Sequence, residues 1–279
     1  MGLCLTGDTR NESFHIFYGK PRSGKSTVST TYAYMLGGEK GYAMTVQPET
    51  LTQKKFSNSS SANSDIARLK GCRFLVCNEL QQDMQLNVPL IKSFTGGDRL
   101  TARFLYGEHI EFSPAFKLIL VTNHLPYVSD DTLFSSNRVC VIPFDYQIAE
   151  IDVDLKNKLK ENEVISGAFN WCLKGLRAYK EEGLLAPPDI IKATIQYAQE
   201  GDTTEKFIKE SLVYSPECNY SLKGIYGAYC DFCHKNNLPC DQKTLFKSKL
   251  EAKNMLGHNL TTVDTKRAES NVVRGYKIS

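Results

Sequence analysis

The stretch Phe14-His-Ile-Phe-Tyr-Gly19-Lys-Pro-Arg-Ser-Gly24-Lys25-Ser26-Thr27 constrains this chain more than any other. A run of strand-forming residues leads into Gly19, and Gly24-Lys25-Ser26 opens a helix-compatible segment, which is the setting a phosphate-cradling loop requires. The physics fixes each residue type. Gly19 and Gly24 reach backbone angles barred to other residues and let main-chain N–H groups approach a phosphate. The next helix adds the positive end of its dipole. Gly19, Lys20, Pro21, Arg22, Ser23, Gly24, Lys25, Ser26 and Thr27 are therefore expected to hold the phosphates of ATP. Lys25 would reach the β- and γ-phosphates, and the Ser26 hydroxyl would ligate Mg²⁺.

A chain of 279 residues that is 41% hydrophobic and 23% charged can bury a core in one large domain or in two to three smaller ones. No apolar run approaches the ~20 residues that cross a bilayer, and Met1-Gly-Leu-Cys-Leu-Thr-Gly-Asp8 lacks the basic start and long apolar core of a signal peptide. Nine scattered cysteines read as reduced thiols. The expectation is a cytoplasmic protein with no membrane partner. The net charge of +3 is uneven: residues 203–279 hold 12 Lys/Arg against 8 Asp/Glu, and residues 1–202 hold 22 against 23. A basic C-terminal part beside a near-neutral nucleotide-binding part suggests nucleic acid, although a solvated basic surface would look the same.

Further landmarks follow in order. A strand at 14–18, a helix over about 25–36 and a strand at 41–46 precede the polar run Ser57–Ser64, which fits a surface linker or a loop near the nucleotide. The apolar strand Arg73–Asn78 ends at Glu79. An acid at the carboxyl end of a parallel strand can hold Mg²⁺ or polarise an attacking water. After Thr95-Gly96-Gly97-Asp98 the pattern alternates around Gly107-Glu108, as in a hairpin. Arg99 and Arg103 with Tyr106 and His109 give it charge and aromatic surface for a DNA backbone. Phe116–Val121 is a buried strand ending in Thr122-Asn123, where Asn123 can bond the γ-phosphate or the attacking water, or simply cap the turn. Arg138 precedes the last apolar strand, 139–144, and is either structural or a transition-state cation for a phosphoryl group.

Residues 151–200 read as helical, with Ile165, Phe169, Cys172, Leu173 and Leu176 on one face and a break at Pro187-Pro188. From Thr203 the pattern resets to helices at about 204–213, 222–236 and 242–254, with Asp241 capping the third. Short strands flank the polar stretch Thr261–Ser270. Three helices and a hairpin make a winged-helix domain. Its third helix would present Lys243, Lys247, Lys249 and Lys253 to DNA, and its wing Lys266 and Arg267. Cys230-Asp-Phe-Cys233-His234, near Cys218 and Cys240, contains zinc-ligand types, but Cys233 lies on an apolar stripe and packed thiols are the better reading.

The ordered set of loop, Cys77-Asn78-Glu79, Thr95-Gly-Gly-Asp98, Thr122-Asn123 and Arg138 resembles the superfamily 3 helicases. Among these it is most similar to the phage and plasmid primase-helicases and their relatives in poxviruses and other large DNA viruses. Lys92…Thr-Gly-Gly-Asp98…Arg103-Phe-Leu-Tyr106 and Phe116-Lys-Leu…Thr-Asn123-His-Leu-Pro126 are the most specific parts. The resemblance implies an α/β fold: a P-loop AAA+ ATPase with a parallel sheet over 1–146, a helical lid over 147–202 and a winged helix over 203–279. It implies an ATP-dependent DNA helicase acting in replication as a hexameric ring on single-stranded and forked DNA, in a bacterial host or a virus-infected cell. Lys25 and Ser26 then match the first motif, Glu79 the second, 95–112 the DNA-contacting hairpin, Asn123 the sensor and Arg138 the arginine finger. Two positions depart: Arg22-Ser23 stands where relatives often have Gly-Asn, and Asn137-Arg138 where many have two arginines. The chain is expected to be part of a longer primase-helicase, joined to an upstream primase domain or protein, or a stand-alone module. A replication initiator with little unwinding would keep the same motifs. A small-molecule phosphotransferase would leave the hairpin and the basic C-terminal part unexplained.

Overall fold

The apolar strands assemble as their composition requires. The computed structural model describes residues 1–53, 63–80, 84–128, 132–236, 238–263 and 266–278. Apart from its last two residues, the polar run at 57–64 lies outside them. Phe74–Asn78 and Lys117–Thr122 are buried along almost their whole length, the signature of strands covered on both faces of a parallel sheet.

Two compact units divide at 198/199. The first is built on a five-stranded parallel sheet of β1 (Phe14–Tyr18), β2 (Ala43–Val46), β3 (Phe74–Asn78), β6 (Lys117–Thr122) and β7 (Val139–Pro143), in the order β2-β3-β6-β1-β7. β4 (Leu100–Arg103) and β5 (His109–Phe112) form a separate antiparallel hairpin. Helices α1 (Lys25–Met35), α2 (Pro48–Leu51), α3 (Ser64–Ala67), α4 (Val88–Thr95), α5 (Thr132–Ser135), α6 (Leu155–Lys158), α7 (Asn162–Glu182) and α8 (Pro188–Gly201) fill the connections. One apolar cluster covers a face of the sheet through Phe14, Ile16, Leu75, Leu118 and Phe94. The other face packs Phe17, Tyr32, Phe74, Val76 and Cys172.

The second unit contains α9 (Thr203–Ser211), β8 (Leu212–Ser221), α10 (Leu222–Lys235), α11 (Lys243–Ala252), β9 (Leu256–Val263) and β10 (Lys266–Ile278). Its strands form an antiparallel sheet ordered β8-β10-β9. Its core stacks Phe207, Tyr229 and Phe246, with Tyr229 and Phe246 centroids 4.5 Å apart.

Several expectations need correction. β8 falls between two expected helices and was not foreseen. Pairing runs well into the polar stretch 261–270, with Thr261 opposite Ala268. Asp241 does not cap α11; its buried carboxylate accepts from Thr204 at 3.1 Å and pairs with Lys249 at 3.1 Å. Of the expected stripe on α7, only Cys172 is buried, and Phe169 is exposed.

His15, the second residue of β1, supplies a test of the core. Its Nδ1 is enclosed without a hydrogen-bond partner, and burial lowers its pKa from 6.5 to about 4. The unfolded chain therefore binds a proton that the folded chain refuses between those values, so stability falls as pH drops through that window, by up to about 1.4 kcal/mol per pH unit. Urea midpoints of His15→Leu should vary less with pH between 6.5 and 4 than those of the parent chain.

Candidate nucleotide and nucleic-acid sites

Register sets the first site. Tyr18 pairs with Thr122 and Asn78 with Val121, so Gly19, Glu79 and Asn123 leave their strands at the same, carboxyl-terminal edge of the sheet. β6 lies between the other two strands, which puts Asn123 between the glycine-rich loop and the acid. These turns border a cleft of about 480 Å³, lined by residues 21–27 and by Thr30, Asn78, Glu79, Thr122, Asn123 and Lys156, among others.

The loop needs its glycines for two different reasons. A Cβ on Gly19 would sit 2.3 Å from the Phe144 carbonyl oxygen, so no side chain fits. Gly24 has a φ of 92°, in the left-handed region that other residues avoid, and begins α1 without a side-chain cap. The first amides of α1 therefore have no side chain of their own to bond, and a phosphate is a suitable acceptor. Lys25 is buried, and its ammonium donates to Gly19 O at 2.7 Å, Lys20 O at 2.8 Å and Ser23 Oγ at 3.1 Å. Burial pushes its pKa down. The segment after β7 runs along the loop: Phe144 N donates to Tyr18 O at 2.7 Å, and Ile148 N donates to Arg22 O at 2.9 Å.

Glu79 is held in an unfavourable conformation, with a φ of 60°. Its N–H donates to Val121 O at 2.9 Å. The Thr122 hydroxyl ties the two neighbouring turns together, lying 3.2 Å from Leu80 O and 2.6 Å from His124 O. Left-handed backbone at a non-glycine residue costs roughly 1–2 kcal/mol, and such strain gathers at functional positions. Glu79 is also exposed, so folding gains little from its side chain.

Arg138 sits elsewhere. Phe14 pairs with Val139, so Arg138 precedes β7 at the opposite edge of the sheet, roughly 16 Å along a five-residue strand from the loop. It donates to Thr95 Oγ1 at 2.8 Å and forms an ion pair with Glu12. In its place, the cleft of the same chain receives Lys156 from α6. Sequence reading missed Lys156, because one lysine on an exposed turn carries no signal.

The hairpin carries the expected residues in an unexpected balance. Arg103 pairs with His109 across the strands. Arg99 lies 3.8 Å from Glu111, and Glu108 precedes His109 in the sequence, so acids accompany the arginines. The tip is apolar and aromatic: Phe104, Leu105 and Tyr106 are all exposed, Tyr106 at 99%, with a φ of 60°. In the second unit, Lys243 is exposed and Lys247 lies 3.5 Å from Glu251. Lys249 does not face solvent as expected, whereas Lys253 is exposed but ion-paired. Lys249 is buried against Asp202 at 3.2 Å and Asp241 at 3.1 Å, and Lys253 pairs with Glu205, which joins α9 to α11. The side chains of Lys266 and Arg267 lie outside those described. No group of three or more His, Cys, Asp or Glu among the described residues is arranged to hold a metal ion, and no described helix is long and apolar enough to cross a membrane.

A model described as "Family of unknown function (DUF5906)" matches residues 17–138, a span that contains Lys25, Glu79, the hairpin, Asn123 and Arg138. Two similar proteins bear the name "Putative helicase". L207/L206 of Acanthamoeba polyphaga mimivirus is 32% identical over 232 residues, covering 76% of this chain and 24% of that protein. 022R of Frog virus 3 (isolate Goorha) is 29% identical over 244 residues, covering 78% and 24%. The chain thus spans about a quarter of the length of these relatives. Among solved structures, an apo form of the NrS-1 C terminal region aligns with a TM-score of 0.48 at 13% identity, over 95% of this chain and 67% of that one.

The strain at Glu79 yields a test of stability. Glycine relieves the backbone but loosens the unfolded chain, so Glu79→Gly should be neutral to stabilising, by up to about 1 kcal/mol. Chemical denaturation of the two proteins measures the difference, and a loss of more than about 1 kcal/mol would mean that the side chain braces the turn.

Proposed function

We propose that this chain is the ATP-hydrolysing module of a DNA helicase that acts in the replication of a virus, phage or plasmid, as a hexameric ring on single-stranded DNA. The observation that carries this reading is the convergence of Lys25, Ser26, Glu79 and Asn123 on one cleft at one edge of a parallel sheet. The names of the viral relatives point to the same activity. The strand order, the helices after β7 and the small α/β second unit are consistent with an AAA+ ATPase, a helical lid and a winged helix.

In this reading the loop amides and Lys25 bind the β- and γ-phosphates. Ser26 and Glu79 would hold Mg²⁺, which would supply positive charge to offset that of the phosphates. Glu79 also orients the attacking water, and Asn123 bonds that water or the γ-phosphate. Arg138, remote from its own cleft, would serve the cleft of a neighbouring subunit. The hairpin would meet DNA mainly by stacking of Tyr106, given the acids around Arg99, Arg103 and His109. Lys243 and Lys247 would add phosphate contacts from the second unit.

Steady-state ATPase and nucleotide-binding assays test the cleft. Lys25→Ala should lose hydrolysis, whereas Glu79→Gln should bind ATP and lower turnover by about 10²-fold or more. Normal turnover in Glu79→Gln would mean that another group orients the water.

Mixing tests the shared site. An added arginine is worth about 10³–10⁵ in phosphoryl transfer. Lys25→Ala and Arg138→Ala proteins, each inactive alone, should therefore regain partial activity together. Full activity of Arg138→Ala at high dilution would reduce Arg138 to a brace for Glu12 and Thr95. Lys156→Ala should raise KM with little change under dilution, because Lys156 lines the cleft of its own chain.

A further inference from the structure

We propose that Cys230 and Cys240 form a modification site at which a hydroperoxide converts two thiols into an intramolecular disulfide. Their sulfurs lie 3.2 Å apart, inside the roughly 3.5–4.0 Å of ordinary non-bonded contact between carbon atoms. A disulfide needs about 2.05 Å, so the sulfurs have little more than an ångström to travel.

The proximity is imposed by groups other than the sulfurs. Cys230 lies on α10, and Cys240 lies in the segment that turns into α11. Leu238 N donates to Cys233 O at 2.8 Å. Asp241 N donates to the Tyr229 hydroxyl at 3.0 Å, and the Tyr226 hydroxyl donates to Asp241 O at 3.1 Å. These bonds flank Cys240 and hold the segment against α10 in the reduced protein. Access completes the site. Cys240 is exposed and Cys230 half-buried, whereas Cys233 is fully enclosed in the core.

The chemistry balances with one hydroperoxide. Although Cys240 is exposed as a residue, partial burial of its thiol and then the neighbouring Cys230 push it up to about 12, which disfavours it as the first nucleophile. The Cys230 thiol gives up its proton as its sulfur attacks one peroxide oxygen; the O–O bond breaks, the displaced hydroxide takes the proton and leaves as water, and Cys230 becomes a sulfenic acid. Cys240 then gives up its proton and its sulfur attacks Cys230 Sγ. The S–S bond forms, the S–O bond breaks, and the departing hydroxide leaves as water. Two thiols and one hydrogen peroxide give one disulfide and two waters. The bridge ties α10 to the start of α11, three residues before Lys243.

The test uses the full chain and hydrogen peroxide in modest excess. Thiols titrated after denaturation should fall by two from nine, and dithiothreitol should restore them. Tryptic mapping without reduction should join peptide 224–235 to peptide 236–243. The first of these also contains Cys233, so Cys230→Ser identifies the partner: it should abolish the joined peptide, as should Cys240→Ser. Hydrogen exchange of 238–247 should slow on oxidation. Persistence of all nine thiols, a joined peptide that survives Cys230→Ser, or oxidation that stops at sulfinic acid would overturn the proposal. Mapping of the unaltered protein does not depend on any variant folding.

Discussion

Parallel pairing in register is the constraint on which the cleft depends. A parallel strand delivers every following turn to the same edge, so the backbone pairing of β1, β3 and β6 alone places the Gly19 loop, Glu79 and Asn123 side by side. The pairing is fixed in turn by burial. Phe74, Leu75, Val76 and Cys77 on β3, and Leu118 to Val121 on β6, are enclosed on both faces. A slip of one residue would exchange which side chains meet each apolar layer. The same geometry sends Arg138 to the far edge, because it lies before its strand rather than after it.

What was legible in the sequence follows from this. The loop, the acid and the polar pair each stand at the end of an apolar run, and such runs have a signature of their own. The sheet of the first unit could therefore be read almost strand by strand. Lys156 could not, because its place in the cleft is set by the path of the chain after β7 and by no local pattern. Nor could the partners of Arg138, since Glu12 is 126 residues away and lies in a segment with no periodicity. β8 was missed because Pro216, Glu217 and Asn219 disfavour strand locally, and ladder pairing with β10 overrides them.

The second unit shows a related limit. Four lysines at near-helical spacing on α11 look like one basic face. One of them, Lys249, is instead buried between Asp202 and Asp241, and another, Lys253, is paired with Glu205 at the surface. A buried cation of this kind adds little net stability, but removing both Asp202 and Asp241 would strip it of the two carboxylates that compensate it. The positive charge available to a partner is correspondingly smaller than the count of lysines and arginines suggests, and Lys243 carries more of it.

The close contact between Gly19 and Phe144 has a mechanical meaning. The loop and the segment after β7 are coupled at three levels: Tyr18 to Phe144 by a hydrogen bond, Gly19 to Phe144 by steric exclusion, and Arg22 to Ile148 by a second hydrogen bond. Neither strip can shift by an ångström without loading the other, since hydrogen bonds and packed backbone resist both stretch and compression. Compliance is thus removed between the loop and residue 148, the stretch of chain that leads on toward α6. A displacement of the loop is therefore felt at least as far as residue 148.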